Sequence, residues 1–221
     1  MTPETERPEI TGWQRKLVLF LDRQIYRLSR RWLAVFNFFL GVYVLLPVLA
    51  PTLMVSGLSV AGRLLYLLYR PLCHQLPERS FFLFGPQIAY TLDELWAAGV
   101  LSPMDDLVAR QAFVGTREVG FKLGFCQRDI ALYGGLFLGG LLFGLVRRRL
   151  RPLSFLGYVL SLVPMAIDGG LQLFTSYEST PLLRVLTGGL VGISSVWLLY
   201  PNLETAFAEI RLQANKRVHL E

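Results

Sequence analysis

Two short stretches hold both cysteines, one of the two histidines and a run of charges. They are Arg70-Pro71-Leu72-Cys73-His74-Gln75-Leu76-Pro77-Glu78-Arg79-Ser80 and Gly124-Phe125-Cys126-Gln127-Arg128-Asp129. Three chemistries fit the pair of thiols. Cys73, His74, Cys126 and Asp129 form a soft-to-borderline set of four ligands suited to zinc. The Cys126-x-x-Asp129 spacing resembles half of a zinc knuckle with one ligand exchanged. Alternatively, outside the cytoplasm, Cys73 and Cys126 would close a long loop as a disulfide contributing about 2–4 kcal/mol. The third possibility is two inert buried thiols. His74 taken alone reads as a hydrogen-bonded structural residue, and His219, in the tail, as solvated.

A second group of polar residues lies further along. Asp168 and Gln172, four residues apart, share one helix face inside an apolar run. A carboxylate within a membrane span costs about 2.5–3.5 kcal/mol, so Asp168 should face the bundle and find a partner, with Arg184 or Arg128 the natural candidates. In a functional pocket Asp168 and Gln172 would position water or substrate, while Arg128 and Arg184 would hold an anionic group. The bland alternative is an ion pair that only locks the helices. Arg79, Arg128 and Arg184 suit an oxyanion by their forked donors. Glu78, Asp129, Asp168 and Glu178 are numerous enough to neutralise them. No G-x-S-x-G, H-E-x-x-H, Walker loop or dinucleotide fingerprint is present.

The elements that must position these residues are membrane helices. The chain is 53% hydrophobic and 17% charged, with a mean hydropathy of +0.45, and its apolar residues come in long blocks. Four spans are expected, at about 32–53, 130–146, 153–174 and 182–200, the first carrying Pro47 and Pro51 in its outer half, where a kink or early end is expected. Residues 13–31 read as a basic amphipathic helix on an anionic membrane face. Residues 56–69 are too short and too charged, with Arg63, to span, and read as an interfacial or re-entrant helix. Residues 91–96 and 104–113 look like short helices, the latter starting at Ser102-Pro103. Gly135-x-x-x-Gly139 and Gly140-x-x-x-Gly144 provide small-residue surfaces for close helix packing.

The net charge of +6 does not point to nucleic acid, because most basic residues flank apolar blocks, where they anchor helices. Segments 1–31, 147–151 and 201–221 carry 14 of the 22 lysines and arginines. The short basic turn at 147–151 decides the orientation: both termini cytoplasmic, the Cys-His stretch outside. No cleavable signal peptide is expected from the polar, acidic opening, residues 1–10. The spans then bring Cys73, His74, Glu78, Arg79, Cys126, Arg128, Asp129, Asp168, Gln172, Glu178 and Arg184 to one depth at the outer face.

The string Cys73-His74-Gln75-Leu76-Pro77-Glu78-Arg79-Ser80-Phe81-Phe82 resembles the signature of a family of small prokaryotic membrane proteins known as a domain of unknown function. So do Cys126-Gln127-Arg128-Asp129-Ile130-Ala131-Leu132-Tyr133-Gly134, Asp168-Gly169-x-x-Gln172 and Arg184-x-x-Thr187-Gly188. The resemblance runs from about Tyr69 to Trp197. Some family members carry Cys-x-x-Cys where this chain has Cys126-x-x-Asp129. The resemblance supports the grouping of these residues and implies no activity.

The expected architecture is all-α: a polytopic bundle of four transmembrane helices with interfacial or re-entrant helices. It divides into a cytoplasmic or interfacial segment 1–31, a membrane domain 32–200 with extracytoplasmic segment 54–129, and a cytoplasmic tail 201–221. One functional expectation is an outer-face site, zinc-supported, for a lipid-like or anionic ligand. The other is a non-enzymatic transport, binding or assembly protein with a disulfide and a purely structural polar cluster.

Overall fold

A computed structural model describes residues 12–147 and 149–219, with side chains through residue 213. The expectations for the chain's opening ten residues, for Arg148 in the basic turn and for the His219 side chain lie outside the described residues.

The first helix, α1 (Trp13–Val55), runs through the expected basic helix and the first span without a break. No glycine or proline stands near the junction at Arg31-Trp32, and nothing there interrupts the backbone ladder. At 43 residues it is about 65 Å long, twice a hydrocarbon core of about 30 Å. Pro47 and Pro51 do not end it early: both lie inside the helix, buried. Next come α2 (Ser59–Tyr69) and a 3₁₀ turn at Pro77–Arg79. As expected, α2 is short; it buries Gly62, Tyr66 and Tyr69 and leaves Arg63 exposed.

The segment between α2 and the second span differs from expectation by holding a small sheet. Strands β1 (Ser80–Leu83), β2 (Gly115–Thr116) and β3 (Gly120–Cys126) form an antiparallel sheet in the order β1-β3-β2. The register pairs Ser80 with Cys126, Phe82 with Lys122 and Gly115 with Phe121. Between β1 and β2 lie α3 (Leu92–Ala97) and α4 (Leu107–Ala112). Thr91 and Glu94 form a capping box on α3. The cap of α4 is Asp106, whose Oδ1 accepts from the Ala109 amide at 2.8 Å, and not Ser102. Ser102 is instead held in a turn, its amide donating to Asp105 Oδ2.

The remaining chain is helical: α5 (Gln127–Val146), α6 (Phe155–Phe174) and α7 (Pro181–His219). Together with α1, these give four helices among the described residues that are long and apolar enough to cross a membrane. The all-α membrane bundle is therefore as expected, with the sheet as a small addition. Large apolar side chains such as Phe38, Phe39, Leu142, Leu145, Leu160 and Leu186 are exposed on the helices, as side chains facing lipid must be.

Glycines set the α5–α7 interface. A methyl group on Gly188 would lie 2.5 Å from the Arg128 carbonyl oxygen, and one on Gly135 would lie 3.1 Å from the Gly189 oxygen. Gly192 meets the Leu132 carbonyl in the same way. The two backbones therefore touch. Gly140 serves a different partner, lying against Asn37 of α1 and Tyr200 of α7.

At the arginine-rich end, α1 and α7 stay together beyond the spans. Trp32 stacks on Phe207 with centroids 5.4 Å apart and donates its indole N–H to Glu204 at 2.8 Å. Arg147 and Arg211 pair with the same carboxylate. At the other end, β3 docks on the C-terminal half of α1, with Gly124 against Pro47.

Candidate functional site

Strand β3 runs directly into α5, and the join is Cys126. It caps the helix, its Sγ accepting from the Asp129 amide at 3.5 Å. Its own amide donates to Cys73 Sγ at 3.3 Å. The loop carrying Cys73 is fixed by Gln75, a buried residue with left-handed backbone (φ 51). The Gln75 side-chain amide donates to the Tyr66 and Gly124 carbonyls, both at 2.9 Å. A non-glycine residue in that region carries backbone strain, which surrounding contacts must hold. The two anchors tie the loop to α2 on one side and β3 on the other.

Ligand atoms of Cys73, Cys126 and Asp129 consequently lie within 4.8 Å of one another. Both thiols are free. Their mutual hydrogen bond holds Cys73 above the ordinary thiol range, with burial acting the same way. The same bond draws Cys126 below that range, and the positive end of α5 favours a thiolate there too. A tetrahedral zinc with bonds of about 2.3 Å needs sulfurs roughly 3.8 Å apart. A small closure of this trio meets that demand, so the donor set fits. His74 stands apart. It is exposed and lines the same cavity, but its ring does not join the trio of ligand atoms.

The cavity above the thiols has a volume of about 250 Å³, and Arg79, Arg128, Gln172 and Arg184 form part of its lining. Four segments supply them: the 3₁₀ turn, α5, α6 and α7. Arg184 is buried and donates to the Glu78 carbonyl at 3.2 Å and to Gln127 Oε1 at 3.0 Å. Gln127 is fixed in turn by donating to the Ser80 carbonyl at 3.1 Å. The Arg79 side chain has no hydrogen-bond or ion-pair partner among the described residues. The buried Nε atoms of Arg79, Arg128 and Arg184, and Nε2 of Gln172, are all unpartnered. Four unpartnered donors therefore border a cavity that the Asp129 carboxylate also lines.

Carboxylates do not neutralise this group in the manner their number suggests. Glu78 is taken by Arg110, a residue the sequence reading did not single out. Glu178 is exposed. Among the described residues only Asp168 forms an ion pair with a cavity arginine, and its partner is Arg128, not Arg184. Asp168 also accepts from Ser179 Oγ at 2.9 Å and from the Tyr177 hydroxyl at 3.2 Å. With three partners and 4% exposure, it lies behind Arg128 and outside the cavity wall. Gln75 and Gln127 were also missed as positioning residues, although both stand inside the Cys-His and Cys-x-x-Asp strings.

Beneath the loop, Lys122 is fully buried in β3. Its ammonium donates to the carbonyls of Gln75 and Gln111, and burial lowers its pKa to about 7.

Part of this geometry lies in a stretch that matches a known sequence family. Residues 117–198 match the family described as "Predicted membrane protein (DUF2085)". The DUF2085 match takes in β3, α5, α6 and the apolar half of α7, and thus Cys126, Arg128, Asp129, Asp168, Gln172 and Arg184. The Cys73–Phe82 string lies outside it. An uncharacterized protein of Methanocaldococcus jannaschii is 26% identical over 141 residues, covering 62% of this chain and 67% of the relative. No solved structure matches the chain significantly. The resemblance to an uncharacterised membrane-protein family is as the motifs led one to expect.

Proposed function

We propose that the chain presents, at the outer face of the cell membrane, a site that binds an anionic group of phosphate or carboxylate type. Arg79, Arg128 and Arg184 hold the anion, Gln172 adds a neutral donor, and a zinc ion on Cys73, Cys126 and Asp129 lies at the cavity floor. The observation that carries this reading is the set of four unpartnered N–H donors around one cavity. Buried donors are nearly always satisfied, and an oxyanion would satisfy these. The cavity's 250 Å³ is below the usual range for a drug-sized ligand, about 300–1,000 Å³, and suits a head group or a small anion. Outward orientation rests on the basic turn at 147–151 and on cytoplasmic termini.

Three zinc ligands would leave a fourth position for water or for the bound anion, as in open zinc sites. The nearness of the two sulfurs also favours a second reading: a Cys73–Cys126 disulfide in a scaffold whose polar cluster is structural. Metal analysis and thiol counting on the full chain in nanodiscs separate the two. One zinc per chain is expected, lost in Cys73→Ser, with two alkylatable thiols after chelation. No zinc and no free thiol would establish the scaffold.

The anion is tested with inorganic phosphate and, separately, with nanodiscs of neutral lipid with and without phosphatidylglycerol. Arg79→Gln removes a charged donor that holds nothing else among the described residues. A charged hydrogen bond contributes about 1.5–3 kcal/mol, so roughly 10- to 150-fold weaker binding is expected. Saturable phosphate binding identifies a free anion, and binding seen only with phosphatidylglycerol identifies a head group. No binding of either, or unchanged binding in Arg79→Gln, would overturn the proposal.

A further inference from the structure

A second and larger cavity lies at the opposite end of the bundle, between α1 and α5. Its volume is about 650 Å³. At one end it is lined by Arg30, Arg31 and Arg147, and deeper in by Val42, Leu45, Phe137 and Leu141. We infer that this groove binds one phospholipid with an anionic head group, its phosphate on Arg30 and Arg31 and an acyl chain along α1 and α5.

Four observations support this occupant. Arg30 to Leu45 is fifteen residues of helix, about 22 Å at 1.5 Å per residue. Since Arg30 and Arg31 stand at the edge of the apolar block, the groove reaches through one leaflet, about 15 Å of hydrocarbon. The charge is complementary: Arg30 and Arg31 are exposed, Arg30 lying over the Tyr26 ring at 6.0 Å. Arg147 is shared with Glu204 and adds less. Basic pockets between membrane helices are where anionic head groups bind.

The third observation is Asn37. It lines the groove, is 8% exposed, and its Oδ1 has no partner. An unpaired amide oxygen in an apolar wall costs on the order of 1–3 kcal/mol. That oxygen packs against Gly140, where a methyl group would collide with it, so Asn37 gives the wall a polar level midway along the groove. Fourth, the groove has open space beside Gly144, whereas Gly41 and Gly140 are closed off by Phe137 and Asn37. A methyl group on Gly144 would meet nothing closer than Leu33 at 3.6 Å, so there is space for something that is not protein.

The test uses the full chain, in nanodiscs containing equal phosphatidylglycerol and phosphatidylcholine, followed by native mass spectrometry of retained lipid. One phosphatidylglycerol per chain is expected in preference to phosphatidylcholine. Each arginine near the surface contributes about fivefold, so Arg30→Gln with Arg31→Gln should lower that preference roughly thirtyfold. Gly144→Leu, which fills the groove and replaces a helix-interior glycine, should abolish retention while leaving the apparent Tm equal or higher. Equal retention of the two lipids, or retention unchanged in both variants, overturns the inference. So does a dimer, without bound lipid, that Gly144→Leu dissociates, because the groove would then hold a second copy.

Discussion

Asp168→Asn isolates the arrangement on which the candidate site depends. The Asp168 side chain is 3% exposed and that of Arg128 is 21% exposed. Breaking a buried ion pair by removing one partner costs about 3–5 kcal/mol. The substituted amide would keep one oxygen, for either Ser179 or Tyr177, which use different carboxylate oxygens, and Arg128 borders an open cavity where water can reach it. The expected loss is therefore at or below the low end, about 2–3 kcal/mol. The assay is unfolding in mixed micelles, run as a double-mutant cycle with Arg128→Gln. Because the pair is in direct contact, the coupling should be about 1.5–2 kcal/mol, whereas independent sites add to within about 0.5 kcal/mol. The same substitution frees Arg128 from its counter-charge. Asp168→Asn should consequently bind inorganic phosphate more tightly than the native chain even as it unfolds more easily. A coupling below about 0.5 kcal/mol would refute the pairing. Weaker phosphate binding in Asp168→Asn would refute the role of Asp168 as a counter-charge that competes with the anion for Arg128.

Three other outcomes follow from particular contacts. Burial lowers the Lys122 pKa to about 7 from 10.5, so between these values the unfolded chain binds more protons and stability from this group rises with pH. The apparent Tm of the native chain relative to Lys122→Met should therefore increase from about pH 7 to about pH 9, and a flat or falling difference would contradict this. Gly192→Val forces a side chain onto the Leu132 carbonyl and should cost at least about 1–3 kcal/mol by parting α5 from α7; unchanged stability in micelles would contradict the packing. Gln75→Ala leaves the Tyr66 and Gly124 carbonyls without their donor, at about 1–3 kcal/mol each. It should speed alkylation of Cys73, and an unaltered labelling rate would contradict the anchoring role.

The membrane spans were legible because lipid contact demands unbroken apolar runs, and 32–53, 130–146, 153–174 and 182–200 supply them. The sheet was not. Strand β3 holds Gly120, Lys122 and Gly124, residues that weaken a strand in isolation, and it has no polar face because both faces are covered. What makes it a strand, beyond the short local pairing with β2, is its place against β1 and Pro47, contacts far apart in sequence. The meeting of Cys73, Cys126 and Asp129 was legible from topology, since the ends of spans fix depth. The exclusion of His74 was not, because the left-handed turn at Gln75 decides where the neighbouring ring lies. The choice of Arg128 over Arg184 for Asp168 likewise depends on helix rotation, which Gly188 sets by bringing α7 onto the Arg128 backbone. Charge counting missed one partner for a similar reason: Arg110 on α4 reaches Glu78, and α4 is placed by the sheet.

An experimental density map of the full chain, loaded with zinc and phosphate in a nanodisc, tests the central claim most directly. The account predicts a metal peak about 2.3 Å from the sulfurs of both Cys73 and Cys126 and close to Asp129, with oxyanion density bridging Arg79 and Arg184. Continuous density between the two sulfurs at about 2.05 Å, over a cavity holding only disordered solvent, would contradict it.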